Sequence, residues 1–407
     1  MTNPHPPKKW PSVLLLAICE VLAVSLWFSA TAVVPVLRDE FGLGGLQASL
    51  FSSGVSIGFV CGTLLSASLG LADRIPPKIY FSIATLTAAA ANAAIVLTDP
   101  TSSLVIVLRI LTGLCMAGIY PIGMKMVSTW AKGDAGLLVG LLVGALTVGS
   151  AAPHVLNLLD LSGHDWRTPI LASSILAVIS ALLIPFAKLG HAIPKAPPFR
   201  PALAFHAWRD RPLRLANFGY FGHMWELYAM WAWIGLFLFE SFEASGMENA
   251  RLAASTATFA TIAVGGLGSL AAGLAADRVG RTTVTILAMG ISGSCAVLIG
   301  FFFGATPAAV LFIALVWGIS VVADSAQFST CIIELSPPDI LGTMLTTQTC
   351  IGFLISLATI HLVPEFIALL GWKFAFAPLA IGPLLGIAAM TRLRLLPAAK
   401  ALAGGHR

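Results

Sequence analysis

The chain has 407 residues, 57% of them hydrophobic and only 10% charged, and its mean hydropathy is +0.91. A soluble domain carries roughly a quarter charged residues, so the composition excludes an ordinary soluble enzyme and indicates a polytopic membrane protein. The formal net charge of +5 is not a nucleic-acid signal, because the bases sit in short loops between apolar runs, where they orient a chain in a membrane.

The N-terminus reads PHPPKKW and is followed by an apolar run from Pro11 to Leu37. That run exceeds the roughly 7–15 residues of a signal-peptide core, so it is expected to be a retained first helix. A spanning helix needs about 20 mostly apolar residues. Segments at roughly 11–36, 46–71, 79–98, 102–127, 135–157, 168–187, 213–239, 252–275, 283–304, 306–333, 341–363 and 372–391 meet that standard, which makes twelve spans. The connections are short except for one. Residues 188–212 mix Pro194, Pro197, Pro198, Pro201 and Pro212 with Lys and Arg. Proline breaks helices and bases resist insertion, so this reads as a cytoplasmic linker between a first bundle at 1–187 and a second at 213–407.

Lys and Arg placement predicts orientation. Alternate loops carry Lys8, Lys9, Arg74, Lys78, Lys132, the linker bases, Arg278 and Arg281, whereas the opposite loops carry mostly acids, such as Asp39, Glu40, Asp99, Asp160 and Asp165. Both termini are therefore expected in the cytoplasm. The six cysteines all fall inside apolar runs without metal-ligand spacing, and read as small buried hydrophobes.

The two halves echo each other. Glu20 precedes Trp27 by seven residues, as Glu226 precedes Trp233, and seven residues is close to two helical turns. LADR at Leu71–Arg74 follows the second helix and AADR at Ala275–Arg278 follows the eighth. Trp166-Arg167 opens the sixth helix and Trp372-Lys373 the twelfth, while His154 and His361 lie late in the fifth and eleventh. Their shared order at a half-chain offset points to an internal repeat, an all-α membrane protein of two pseudo-symmetric six-helix bundles. Parallel repeats of this kind place a substrate site near the midplane between halves.

These residues resemble the major facilitator superfamily of secondary transporters. The family's loop motif, G-x-x-x-D-R-x-G-R, stands as Gly273 through Asp277, Arg278, Gly280 and Arg281. The first-half copy keeps Asp73, Arg74 and Lys78, replaces the later Gly-Arg by Pro76-Pro77 and shifts the early glycine by one. The fourth helix is similar to the family's arginine followed by spaced glycines, as Arg109, Gly113 and Gly118. GIYPIGMK at Gly118–Lys125 and LWFSATAVVP at Leu26–Pro35 resemble members grouped near nitrate/nitrite porters. Those porters carry arginines in the second and eighth helices and Asn-Gly motifs in the fifth and eleventh, which this chain lacks. The resemblance implies the twelve-helix fold and solute transport, with Asp73, Arg74, Arg109, Gly273, Asp277, Arg278 and Arg281 in gating or conformational roles.

The polar residues inside apolar runs are the candidates for chemistry. An ionisable group at membrane depth is costly and usually faces a cavity or pathway. Glu20 and Glu226 lie near mid-depth, and a carboxyl in a semi-dry cavity can load and release a proton, although an acid neutralised by a neighbouring helix is the structural alternative. His223 lies three residues before Glu226, so the two share a face and could relay a proton; a carbonyl-bonded structural histidine is the alternative. Lys125 either snorkels to the interface or meets an anionic group. Asp324 and Gln327 interrupt the tenth helix and, with Tyr120 at comparable depth in the fourth, read as cavity-lining. Trp27 and Trp233 share faces with their glutamates and are the aromatic cavity candidates. Glycine-rich stretches in the fifth and eighth helices supply close helix contacts suited to rocking. No phosphate-binding loop, zinc-protease helix or esterase elbow is present, which argues against an ATP-driven pump or hydrolase.

The expectation is therefore an integral inner- or plasma-membrane secondary transporter, not an enzyme. It would move a small organic solute by alternating access, coupled to protons, as a monomer among membrane lipids without cofactor, metal or nucleic acid. Multidrug or metabolite efflux is the alternative within the class. A non-transporting sensor or partner protein on the same scaffold is the alternative outside it.

Overall fold

The computed structural model describes residues 9–131, 135–156, 165–190 and 199–406. Lys8, Lys132, Asp160, Pro194, Lys195, Pro197 and Pro198, which carry part of the orientation and linker readings, lie outside the described residues.

The chain opens with α1 (Lys9–Phe28), a short 3-10 turn and α2 (Val34–Phe41). The predicted first span of 11–36 is thus interrupted after Phe28, for a reason that Arg109 supplies below. Next come α3 (Gly45–Leu69), the single turn α4 (Leu71–Arg74) and α5 (Pro77–Ala94), where proline at the first turn forfeits no intrahelical hydrogen bond. The fourth span breaks into α6 (Ser103–Met116) and α7 (Tyr120–Ser128), and α8 (Ala135–Leu156) and α9 (Arg167–Leu183) complete the first half.

After α10 (His206–Arg209), Asp210 caps the start of α11 (Arg211–Ala244) by accepting the Leu213 N–H at 2.9 Å. The eighth span is split into α12 (Ala250–Ala263) and α13 (Gly265–Val279), and α14 (Arg281–Leu298) follows across Gly280. Gly280 has φ +98°, a region that residues with a Cβ avoid, which accounts for glycine at that place in the loop motif. The tenth span is split into α15 (Pro307–Ala323) and α16 (Ser325–Leu335), and α17 (Leu341–Leu370) and α18 (Ile381–Arg394) close the fold.

Ten of these spans are long and apolar enough to cross a membrane, and α18 with its preceding and following turns makes an eleventh. The twelfth is α11. At 34 residues it is about 50 Å long, but its Trp, Tyr, His and Glu lower its hydropathy because it lies inside the bundle, away from lipid. Twelve crossings return the chain to its starting side, here termed the terminal end.

Within the first half α3 packs on α6, and α1 on α8 and α9; within the second, α11 packs on α17 and α18, and α14 on α15 and α18. The α3–α6 contact depends on glycine. A Cβ on Gly58 would stand 1.9 Å from the Ile110 carbonyl oxygen, and one on Gly113 would stand 2.0 Å from that of Val55. The halves meet where α3 lies on α17 and where α8 lies on α12 and α13. At the far end this interface is closed by an Asp39–Arg251 ion pair at 2.6 Å, a Ser53–His361 hydrogen bond at 2.9 Å and Pro364 seated against Gly45. At the terminal end, Lys125 pairs with Asp73 in the first half, and Arg281 pairs with Glu334 in the second.

Candidate functional site

A cavity of ≈ 180 Å³ lies between the halves, reaching from mid-depth toward the terminal end. Both breaks, in the fourth and tenth spans, open onto it. Tyr120 lines it from the first turn of α7, and Ser325, Ser329 and Thr330 line it from α16. A helix broken at mid-depth frees backbone and polar side chains that a continuous apolar helix would hide.

The far wall of this cavity is aromatic. Trp27 and Phe59 from the first half meet Tyr228, Trp231 and Phe353 from the second. Ring centroids are 5.1 Å apart for Trp27–Phe59, 5.5 Å for Trp27–Phe353 and 4.8 Å for Tyr228–Phe353. Trp27 is thus a cavity residue. Trp233 is not: its Nε1 donates to the Ile360 carbonyl at 2.9 Å, and it lines a smaller pocket nearer the far end, beside His154 and Arg251. The Glu–Trp spacing repeats in sequence, but the two tryptophans do different things.

The ionisable residues lie behind these walls. His223 Nδ1 stands 2.8 Å from Asp324 Oδ1, both side chains almost fully buried. Asp324 is at the junction between α15 and α16, where the hydrogen-bond ladder of the tenth span is interrupted at one residue while its backbone stays in the right-handed helical region. His223 is therefore joined to the tenth span rather than to Glu226, three residues along its own helix. Glu226 is held elsewhere: Oε1 accepts the Trp317 indole N–H at 2.7 Å and Oε2 accepts the Ser292 hydroxyl at 2.8 Å. Trp317 and Ser292 carried no signal in sequence, since a lone Trp or Ser in an apolar run is ordinary. Tyr220, which lines the cavity, and Phe328 pack against His223, with ring centroids 6.0 and 5.6 Å from the imidazole.

Glu20 is fully buried, and neither carboxyl oxygen has a hydrogen-bond partner. Its Oε2 occupies the space beside Gly123, where a Cβ would stand 2.3 Å away. An unpaired carboxylate at this depth costs several kcal/mol, so the position calls for a proton or a cation. Glu20 and Glu226 thus differ sharply in setting despite their matched places in the repeat.

The remaining candidates sit at helix ends. The ammonium of Lys125 is bound by Asp73 and by the Ala72 carbonyl, at the terminal end rather than in the cavity. Gln327 accepts a hydrogen bond from Arg281 at 2.9 Å, and Arg281 also makes two bonds to Glu334, at 2.7 and 2.8 Å, and lies 3.4 Å from Asp277. The loop motif of the second half is thus a network tying α13, α14 and α16 together. Arg74 and Arg278 are exposed beside these networks, and Gly273 is half-buried on α13.

Arg109 is fully buried, and every contact it makes is with a neutral group. It donates to the carbonyls of Phe51 (3.0 Å), Leu26 (3.0 Å) and Trp27, and to Ser29 (3.2 Å) and Asn92 (3.1 Å). Leu26 and Trp27 are in the last turn of α1, whose final carbonyls have no donor within the helix. The arginine supplies those donors, which is why the first span stops at Phe28 while the apolar run continues.

Among the described residues no cluster of His, Cys, Asp and Glu is placed to hold a metal ion. The cysteines are free, and five of the six are buried.

A family model, Major Facilitator Superfamily, matches residues 16–359. The chain belongs to that superfamily, and in general terms it is a membrane transporter with an all-α fold of about twelve spans. No curated protein matches it. Membership in the nitrate-porter-like branch has no support from the match.

Proposed function

We propose that the protein is a proton-coupled secondary transporter of a small organic solute, with the His223–Asp324 pair as the proton carrier. The halves at 1–187 and 213–407 would rock about the cavity, with both termini in the cytoplasm and the protein in an inner or plasma membrane. The observation that carries the reading is a buried histidine and carboxylate 2.8 Å apart, at the break in the tenth span. The pair joins α11 to the start of α16, which lines the cavity, so a change in its contact would be felt at the cavity wall. Glu226 is already satisfied by two donors, which suits a structural role, whereas Glu20 remains a second place for a proton.

The test is pH-gradient-driven accumulation measured beside substrate counterflow in the same liposomes. Asp324→Asn and His223→Gln should keep counterflow and lose accumulation, because the solute step survives and the proton step does not. Glu226→Gln should instead lower the melting temperature, since the amide keeps one acceptor oxygen but its NH2 cannot accept the second donor, leaving one buried donor unpaired at about 1–3 kcal/mol. Full accumulation by Asp324→Asn would refute the assignment and move the proton to Glu20. Absence of any flux would favour the non-transporting alternative.

A further inference from the structure

We infer that the central cavity selects an uncharged solute built on a single heteroaromatic ring, held by stacking and hydrogen bonds rather than by an ion pair. The inference rests on reading that cavity as the transport site. Three observations lead to it.

The first is charge. Among the described residues that line the cavity, none is Lys, Arg, Asp, Glu or His. Glu20, His223 and Asp324 are all withdrawn behind aromatic residues or into helix contacts. An ion entering a dry cavity without a counter-charge loses several kcal/mol of hydration. For a cation, ring faces return about 2 kcal/mol, which does not offset that loss. For an anion the cavity offers hydroxyl donors and ring edges but no base to replace its hydration shell.

The second is shape. The five rings of the far wall come from both halves, with centroids 4.7–5.9 Å apart in tilted and edge-on pairs, so a flat aromatic molecule joins an existing cluster of rings. At ≈ 180 Å³, the cavity is only a little larger than the ~150 Å³ that accepts benzene in a protein core. One ring with small substituents fits, and a fused polycyclic drug does not.

The third is hydrogen bonding. Ser325, Ser329 and Thr349 also line the cavity. Trp231 is 1% exposed and its indole N–H has no partner. Buried donors are rarely left unpaired, and a small rotation of this ring toward the cavity would present the N–H to a ring nitrogen or carbonyl on the solute. A purely hydrocarbon ring would leave it unmet.

The test uses one ring in three charge states. Nicotinamide, nicotinate and 1-methylnicotinamide are titrated into the purified full-length protein and followed by tryptophan fluorescence, with uracil and pyrazinamide as further neutral rings. At least one neutral ring should bind saturably and about tenfold or more tighter than either ion, a margin worth about 1.4 kcal/mol. Trp231→Phe keeps an aromatic ring and removes the donor, and should weaken that binding by about three- to tenfold, more than Trp231→Tyr, whose hydroxyl can donate. Phe353→Leu should weaken it also, through lost stacking. The inference is overturned by tighter binding of an ion, by no saturable binding of any of the three neutral rings, or by unaltered affinity in Trp231→Phe. Neutral-ring binding without flux in liposomes would leave this inference standing and sink the transport reading. Preferential flux of nicotinate or 1-methylnicotinamide would do the reverse.

Discussion

At the scale of single residues, Arg109 illustrates how a buried charge can be accommodated without an opposite one. Its guanidinium donors go to three carbonyls and two neutral side chains from α1, α3 and α5, so it ties these helices together while ending the first. Lysine carries the same charge but cannot present a planar fork of five donors. Arg109→Lys would strand carbonyls at about 1–3 kcal/mol apiece, and we expect a loss of roughly 3 kcal/mol in stability. That should read as a melting temperature lowered by several degrees in detergent; an unshifted melt would mean the carbonyls find other donors. The sequence marked Arg109 through its family pattern, but nothing in it indicated that the partners would be backbone oxygens. Much the same holds for Glu226 and His223, whose three-residue spacing on one helix suggested a relay. Spacing fixes which face two residues share, but the neighbouring helix decides what each one touches. Asp324, Ser292 and Trp317 come from helices nine and ten, and only packing brings them to α11.

At the scale of elements, the spans were legible and their interruptions only partly so. Runs of about 20 apolar residues register burial in lipid, and they located the spans to within a few residues at most boundaries. Hydropathy carries no record of a helix that stops and resumes at mid-membrane. The interruption at Asp324 had a visible polar residue and that before Tyr120 had Gly118, whereas at Val264 the helical bonds from Val264 to Ala260 and from Gly268 to Val264 carry on through the junction. Conversely α11, whose Trp, Tyr, His and Glu score as polar, is one of the most enclosed helices in the bundle. The glycines near the Val264 junction serve the contact between halves. A Cβ on Gly266 would stand 3.3 Å from the Gly144 backbone, which is tight but not blocked. Gly266→Ala should therefore fold, bind solute within about twofold of the parent, and, if the proposed rocking slides the halves on that contact, slow exchange across the membrane several-fold. Counterflow rates beside equilibrium binding would check this, and an unchanged rate would show that α8 and α13 do not move past each other.

At the scale of the whole molecule, polar groups are sorted by depth. The far end is latched across the halves by Asp39–Arg251 and Ser53–His361. At the terminal end, the Lys125–Asp73 and Arg281–Glu334 pairs each join helices of one half, and a cavity lined by neutral residues reaches toward them. On the proposed reading, with the solute in the cavity and the proton on the buried pair, charge and solute follow separate tracks, with electrical consequences. If each proton taken up by the buried pair crosses with, or against, a solute that has no charge, every turnover displaces one elementary charge. Transport would then be electrogenic, and the membrane potential would drive it as directly as the pH difference does. An elementary charge crossing 100 mV carries about 2.3 kcal/mol, equivalent to roughly a fiftyfold concentration ratio. Liposomes clamped with valinomycin and a potassium gradient, at equal pH on both sides, should therefore accumulate solute. Indifference to the clamp would show that the proton's charge is cancelled on the way.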